Sequence, residues 1–172
     1  MNSNIFPHLW RFIVLVLFQV LVLKQLALSV GSYFNVLIYP LFIFFLPLRI
    51  ATAYTVLLGF AIGITVDTFY GSLGVHASAG AFSGLIRGFI LEAFGPKGGF
   101  KGKEPIFSPA YFGWQSFFQA IGVFMVLYLF FYFSVDAFTF VYLTTITLKT
   151  ITSWVLSMTF VLLYMAFFKT RA

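Results

Sequence analysis

Acid–base, nucleophilic and metal-assisted chemistry all draw on a short list of side chains, and this sequence supplies few of them. Its 172 residues include two histidines, four carboxylates and no cysteine. The carboxylates are Asp67, Glu92, Glu104 and Asp136, and the histidines are His8 and His76. A metal hydrolase needs several imidazole or carboxylate ligands around one ion, and a nucleophilic hydrolase needs a serine backed by a base and an orienting group. No such set forms here. His8 stands near the N-terminus, and neither Asp67 nor Asp136 has a second carboxylate close by. The absence of cysteine removes disulfides, thiolate metal sites and thiol nucleophiles together. The expectation is a non-enzymatic protein with no catalytic residue, no cofactor and no metal ligand.

Glycine and lysine crowd one stretch, Gly95-Pro96-Lys97-Gly98-Gly99-Phe100-Lys101-Gly102-Lys103-Glu104-Pro105. A phosphate-binding loop needs a glycine five residues before its Gly-Lys pair and a serine or threonine after it. Lys97 and Glu104 occupy those positions, so that reading fails. What remains is a flexible basic loop facing anionic lipid or docking a cytoplasmic partner.

Two other groups have informative spacing. Gly59, Gly63 and Asp67 recur at every fourth position, as do His76, Gly80, Gly84 and Gly88. On helices this places each group along one ridge. Small residues on a ridge let backbones approach closely in lipid, where the hydrophobic effect supplies no drive between helices. Gly59, Gly63, Gly80, Gly84 and Gly88 are therefore expected to be helix-packing positions. The short connection Tyr70-Gly71-Ser72-Leu73-Gly74 predicts a tight antiparallel hairpin, in which Asp67 and His76 meet near one end and share a hydrogen bond or ion pair. Arg87 falls roughly 14 Å from Asp67 along the hairpin, too far to pair with it. Its long stem is expected to carry the charge out to lipid phosphates. Because ionisable groups at membrane depth are costly, Asp67, His76 and Arg87 are the candidate polar or partner contacts.

The elements that would hold these residues follow from composition. Hydrophobic residues make up 62% of the chain and charged residues 8%, with a mean hydropathy of +1.04. A water-soluble domain has no interior large enough for so much apolar surface. The expected fold is an all-α, polytopic integral membrane protein, a single transmembrane domain over residues 1–172. At about 20 residues per crossing, six segments are approximately long enough. They are Leu9–Leu28, Tyr33–Leu48, Ala51–Phe69, Val75–Phe94, Phe112–Phe133 and Thr150–Phe168. Phe12 to Leu23 also has the length of a signal peptide, but Lys24 interrupts it and another apolar run follows at once, so it reads as a crossing. The stretch Asp136 to Lys149 would make the last helix more than about 45 Å long. Ala137 to Thr147 is therefore assigned to an interfacial or re-entrant segment.

The formal charge of +6 is read as orientation, with no nucleic-acid partner, because the basic residues are few and stand at segment ends. Short loops rich in lysine and arginine stay cytoplasmic. With both termini inside, Arg11, Arg49, Lys97, Lys101, Lys103, Lys169 and Arg171 are cytoplasmic, while only Lys24 and Lys149 face outward with Asp67 and Asp136. That distribution predicts an even number of crossings.

The stretch from Asn35 to Pro47, the segments Leu58-Gly59-Phe60-Ala61-Ile62-Gly63 and Val66-Asp67-Thr68-Phe69-Tyr70-Gly71, and then Leu73-Gly74-Val75-His76-Ala77 together resemble the MreD family of bacterial rod shape-determining membrane proteins. The likeness is most specific over Leu46 to Ala77. The family's pattern falls here on Pro47, Gly59, Gly63, Asp67, Gly71 and Gly74. The resemblance implies a multi-pass scaffold of the cell-elongation machinery in the bacterial inner membrane, serving lateral peptidoglycan synthesis. Implied partners are a bitopic MreC-like protein, an MreB-type cytoskeletal filament, a RodA-type glycosyltransferase and a penicillin-binding transpeptidase, besides the lipid bilayer itself.

Two other classes fit a small helical membrane protein. A substrate-binding subunit of a vitamin transporter needs a polar ligand cavity, for which Gln19, Asn35, Asp67 and His76 are the available side chains. A membrane enzyme acting on lipid phosphates needs paired acids for a divalent ion, and Asp67 has no such companion.

Overall fold

The computed structural model describes residues 5–25, 35–72, 74–96, 106–139 and 141–167. Every regular element among them is helical. Helix α1 (Ile5–Phe18) runs on into a π-helical turn, Gln19–Leu23, closed by the Lys24 N–H donating to the Gln19 carbonyl. It is followed by α2 (Leu41–Phe44), α3 (Thr52–Tyr70), α4 (Val75–Phe94), α5 (Pro109–Phe112), α6 (Trp114–Ala137) and α7 (Leu143–Phe167). Three helices of the described residues are long and apolar enough to cross a membrane: Thr52–Tyr70, Trp114–Ala137 and the Leu143–Leu163 part of α7. The chain is a membrane protein, and these helices leave Leu57, Phe60, Ile64, Phe130, Leu148 and Val155 exposed.

Helices α3 and α4 form the antiparallel hairpin, joined through Gly71 and Gly74, both at positive φ. A Cβ built on Gly59 would lie 2.7 Å from the Gly80 carbonyl carbon, and on Gly63 it would lie 2.6 Å from Ala77 Cα. On Gly84 it would meet the Thr55 carbonyl carbon at 2.5 Å. No side chain fits at these positions, so backbone rests on backbone. The close approach ends before Gly88, where a Cβ would reach only the Thr52 hydroxyl at 3.7 Å. The hairpin packs through α4 on α6, and α6 packs on α7.

The segment Tyr33–Leu48 does not form the single helix its apolar character suggested. Residues 35–38 are irregular, Tyr39 and Pro40 turn, and only Leu41–Phe44 is α-helical. Pro40 has no N–H to donate and its ring blocks the preceding turn, so helix can only begin at it. Pro47 bars continuation on the other side. This broken stretch is the centre of the molecule. Residues 36–46 are all buried, and Tyr39, Leu41, Ile43 and Phe44 are fully so. The Phe44 ring meets Phe117 and Phe124 of α6 and Phe107.

A second correction concerns the last helix. Helix α6 runs to Ala137 and is closed by Phe138, which adopts a left-handed conformation (φ 50°). Helix α7 begins at Leu143, so most of the stretch assigned to an interfacial segment is helical. Threonines that are poor helix formers in isolation return their hydroxyls to the preceding turn. Thr147 donates to the Leu143 carbonyl at 2.8 Å, and Thr150 to that of Ile146 at 2.8 Å. In lipid this removes their competition with the backbone. Twenty-five residues span about 37 Å, a length that tilt accommodates. The basic loop 97–105, with Lys169 and Arg171, lies outside the described residues.

Candidate functional site

A non-helical backbone at membrane depth has no water to satisfy it and is tolerated only where protein supplies its hydrogen bonds. Residues 35–47 receive them from three helices. The π-turn in α1 directs the buried Gln19 inward. Its amide donates to the Val36 carbonyl at 2.9 Å and to the Tyr70 hydroxyl at 2.9 Å, and its oxygen accepts the Ile38 N–H at 2.9 Å. From α7, Ser153 accepts the Asn35 N–H at 3.3 Å and Ser157 the Leu37 N–H at 3.2 Å.

At the opposite end of the broken segment the donor is Arg87. Its Nε donates to the Phe44 carbonyl at 3.4 Å, and one terminal nitrogen donates to the carbonyls of Leu46 and of Pro47, the latter at 3.2 Å. The expectation that Arg87 snorkels to lipid phosphates is corrected accordingly. The side chain is 3% exposed and folds across α2. Its five donors in a planar fork suit the C-terminal carbonyls of a helix, which lack intrahelical partners.

Asp67 and His76 are adjacent, but their side chains do not pair. The Asp67 carboxylate accepts the backbone N–H of His76 at 3.0 Å and of Ala77 at 2.8 Å, and the Ser72 hydroxyl at 2.6 Å. Helix α4 is preceded by Gly74, which has no side chain to cap it. The carboxylate of α3 therefore caps α4 across the hairpin, at the end where the helix dipole favours a negative charge. The His76 ring points the other way, into the bundle. Its Nδ1 bonds with the Tyr39 hydroxyl at 3.1 Å, its Nε2 with that of Tyr132 at 3.4 Å, and Tyr39 and Tyr128 share a further hydroxyl–hydroxyl bond. The Tyr70 ring stands edge-on to His76, with centroids 4.7 Å apart.

The sequence-predicted residues thus divide into two places along α4. Asp67 and His76 belong to a polar cluster with Gln19, Tyr39, Tyr70, Tyr128 and Tyr132, while Arg87 serves the far end of the broken segment. Of the cluster, Gln19 has a visible signal, an amide inside an apolar run. The buried tyrosines have none, since nothing in one-dimensional spacing separates them from the other tyrosines of the chain. Among the described residues no group of three or more His, Asp or Glu is placed to hold a metal ion. The polar side chains of the cluster are committed to holding backbone or to one another.

Two hollows flank the hairpin. One, about 350 Å³, lies against Thr52, Thr55, Arg87, Gly88, Leu91 and Glu92. The other, about 550 Å³ and open to the surface, borders Phe60, Ile64, Asp67, Ser72 and Ala77. No protein-family model, no curated protein and no solved structure matches the chain.

Proposed function

We propose that the chain is a non-enzymatic membrane scaffold of the cell-elongation machinery, of the kind the MreD resemblance implies. The observation that carries this reading is the part played by the stretch with that resemblance. Within Leu46 to Ala77, the Leu46 and Pro47 carbonyls receive Arg87, Gly59 and Gly63 lie in the hairpin contact, and Asp67 caps α4. These positions build a rigid body. A scaffold needs such a body, whereas an enzyme would aim its acids and bases at a substrate chamber.

Six crossings in the bacterial inner membrane, with both termini cytoplasmic, accompany the proposal. Five crossings are α1, α3, α4, α6 and α7, and the remaining one is the broken segment, which runs from the Gln19 end of the bundle to the Arg87 end. Its irregularity does not prevent crossing, because its backbone is satisfied from within the protein. Arg49 and Pro96, which the basic residues 97–105 follow in sequence, share the Arg87 end, which supports a cytoplasmic assignment for that side.

The partners are those the resemblance implies: an MreC-like bitopic protein, an MreB-type filament, a RodA-type glycosyltransferase and a penicillin-binding transpeptidase. Depletion in a rod-shaped host tests the proposal. Rounded cells, with co-purification of an MreC-like partner on the tagged chain, are expected. Cells that keep their shape but lose uptake of a vitamin bound by the purified protein would replace this reading with that of a transporter subunit.

A further inference from the structure

The hollow beside Arg87 gathers both signs of charge against apolar residues. Arg87 lines it and forms no ion pair with any described residue. Nε and one terminal nitrogen are used on the carbonyls of Phe44, Leu46 and Pro47, and the other terminal nitrogen has no acceptor among the described residues. A charge buried with only carbonyl partners remains under-compensated. The N-terminus of α3 reaches the same hollow through Thr52, and its cap residue, Ala51, offers no side-chain acceptor to the first amides. Guanidinium and helix N-terminus both favour an anion, and a phosphate suits both.

The opposite charge stands in the same lining. Glu92 lines this hollow from the last turns of α4 and is itself exposed, while Leu48, Ile50 and Leu91 supply apolar wall. Gly88 keeps the space open, since even a methyl group there would meet nothing nearer than the Thr52 hydroxyl at 3.7 Å. A cation and an anion in one lining, with apolar residues beside them, suit a phosphate that bears an ammonium group.

We infer that this hollow is a binding site for an aminophospholipid, with the headgroup phosphate on Arg87 and the α3 N-terminus and the ammonium on Glu92. The inference does not depend on which assembly the chain serves. A phospholipid is the favoured source because the hollow lies among the helices of a membrane protein and has an apolar wall of Leu48, Ile50 and Leu91, which a soluble phosphoethanolamine would leave uncovered.

The test is native mass spectrometry of the full chain purified in detergent and titrated with phosphatidylethanolamine or phosphatidylglycerol of identical acyl chains. Phosphatidylethanolamine is expected to bind the wild type more tightly. Glu92→Gln should abolish that preference while retaining phosphate binding. Arg87→Gln removes a structural contact as well as the phosphate ligand, so the decisive variant is Gly88→Leu, which fills the hollow and leaves the Arg87 contacts in place. It should weaken phosphatidylethanolamine binding about tenfold, the loss expected for a displaced charge-assisted contact, with thermal stability unchanged. Undiminished lipid binding by a stable Gly88→Leu variant, or equal binding of both lipids by the wild type, would overturn the site. Displacement of the lipid by free O-phosphoethanolamine would overturn the lipid as its occupant in favour of a soluble ligand.

Discussion

Asp67 holds the backbone amide of His76 at 3.0 Å, while the imidazole of the same residue turns away to Tyr39. One residue thus joins two structures, the α3–α4 hairpin through its main chain and the broken central segment through its ring. The hairpin and the segment are thereby fixed relative to each other.

Removing the carboxylate should loosen the hairpin. Asp67→Ala leaves the His76 and Ala77 amides and the Ser72 hydroxyl without their acceptor, at a cost of about 2–3 kcal/mol. Asp67→Asn keeps one acceptor oxygen and should lose less. Thermal unfolding in detergent measures both, and an Asp67→Ala protein as stable as wild type would refute the cap. Insertion should be unaffected, and in a rod-shaped host the variant should retain less of an MreC-like partner.

The glycines on the hairpin should differ in tolerance. Gly63→Ala places a methyl group 2.6 Å from Ala77 Cα, so the helices must separate, and the folded yield should fall sharply. Gly88→Ala meets only ordinary contact at 3.7 Å and should behave as wild type. Matching yields and melting temperatures for the two variants would remove the basis for the close packing described.

Arg87→Met should release the end of the broken segment. Three carbonyls lose their donor, at about 1–3 kcal/mol for each buried group left unsatisfied. Since the chain has no cysteine, a single cysteine introduced at Phe45, buried in the native protein, reports the change. It should resist maleimide in the Arg87 background and react in the Arg87→Met background. Lack of reaction in both would show that the segment does not depend on the guanidinium.

The tyrosine pair offers a test of coupling. Tyr39→Phe strands His76 Nδ1 and the Tyr128 hydroxyl, and should cost about 1–3 kcal/mol. Adding Tyr128→Phe should cost little more, because it removes a group already left unpaired. Additive losses in unfolding titrations would argue that the two hydroxyls act independently.

Orientation is open to labelling with a membrane-impermeant thiol reagent. Trp114 and Val141 are both exposed and stand at opposite ends of the α6–α7 pair. A cysteine replacing Val141 should label in intact cells, and one replacing Trp114 only after permeabilisation. The reverse pattern would invert the proposed topology.

Composition by itself determined that the bilayer is this protein's solvent, because 62% hydrophobic residues with 8% charged leave no other place for the apolar surface. The glycine ridges and the short Tyr70–Gly74 connection made the α3–α4 hairpin legible, since its contact is local and its period is that of the helix. Asp67 was legible as a residue that must be satisfied, but its partner was not. Spacing suggested the His76 side chain, whereas the uncapped end of α4 took the carboxylate. The interruption at Pro40 was visible, yet only tertiary structure decided that the segment would lie unwound at the centre of the bundle. Its stability depends on Gln19, Ser153, Ser157 and Arg87, donors and acceptors far apart in sequence. The place of Arg87 is hidden from the sequence for the same reason. Read along one helix, its nearest stabilisation is lipid phosphate, but the carbonyls of a broken helix provide partners that no single-helix pattern contains.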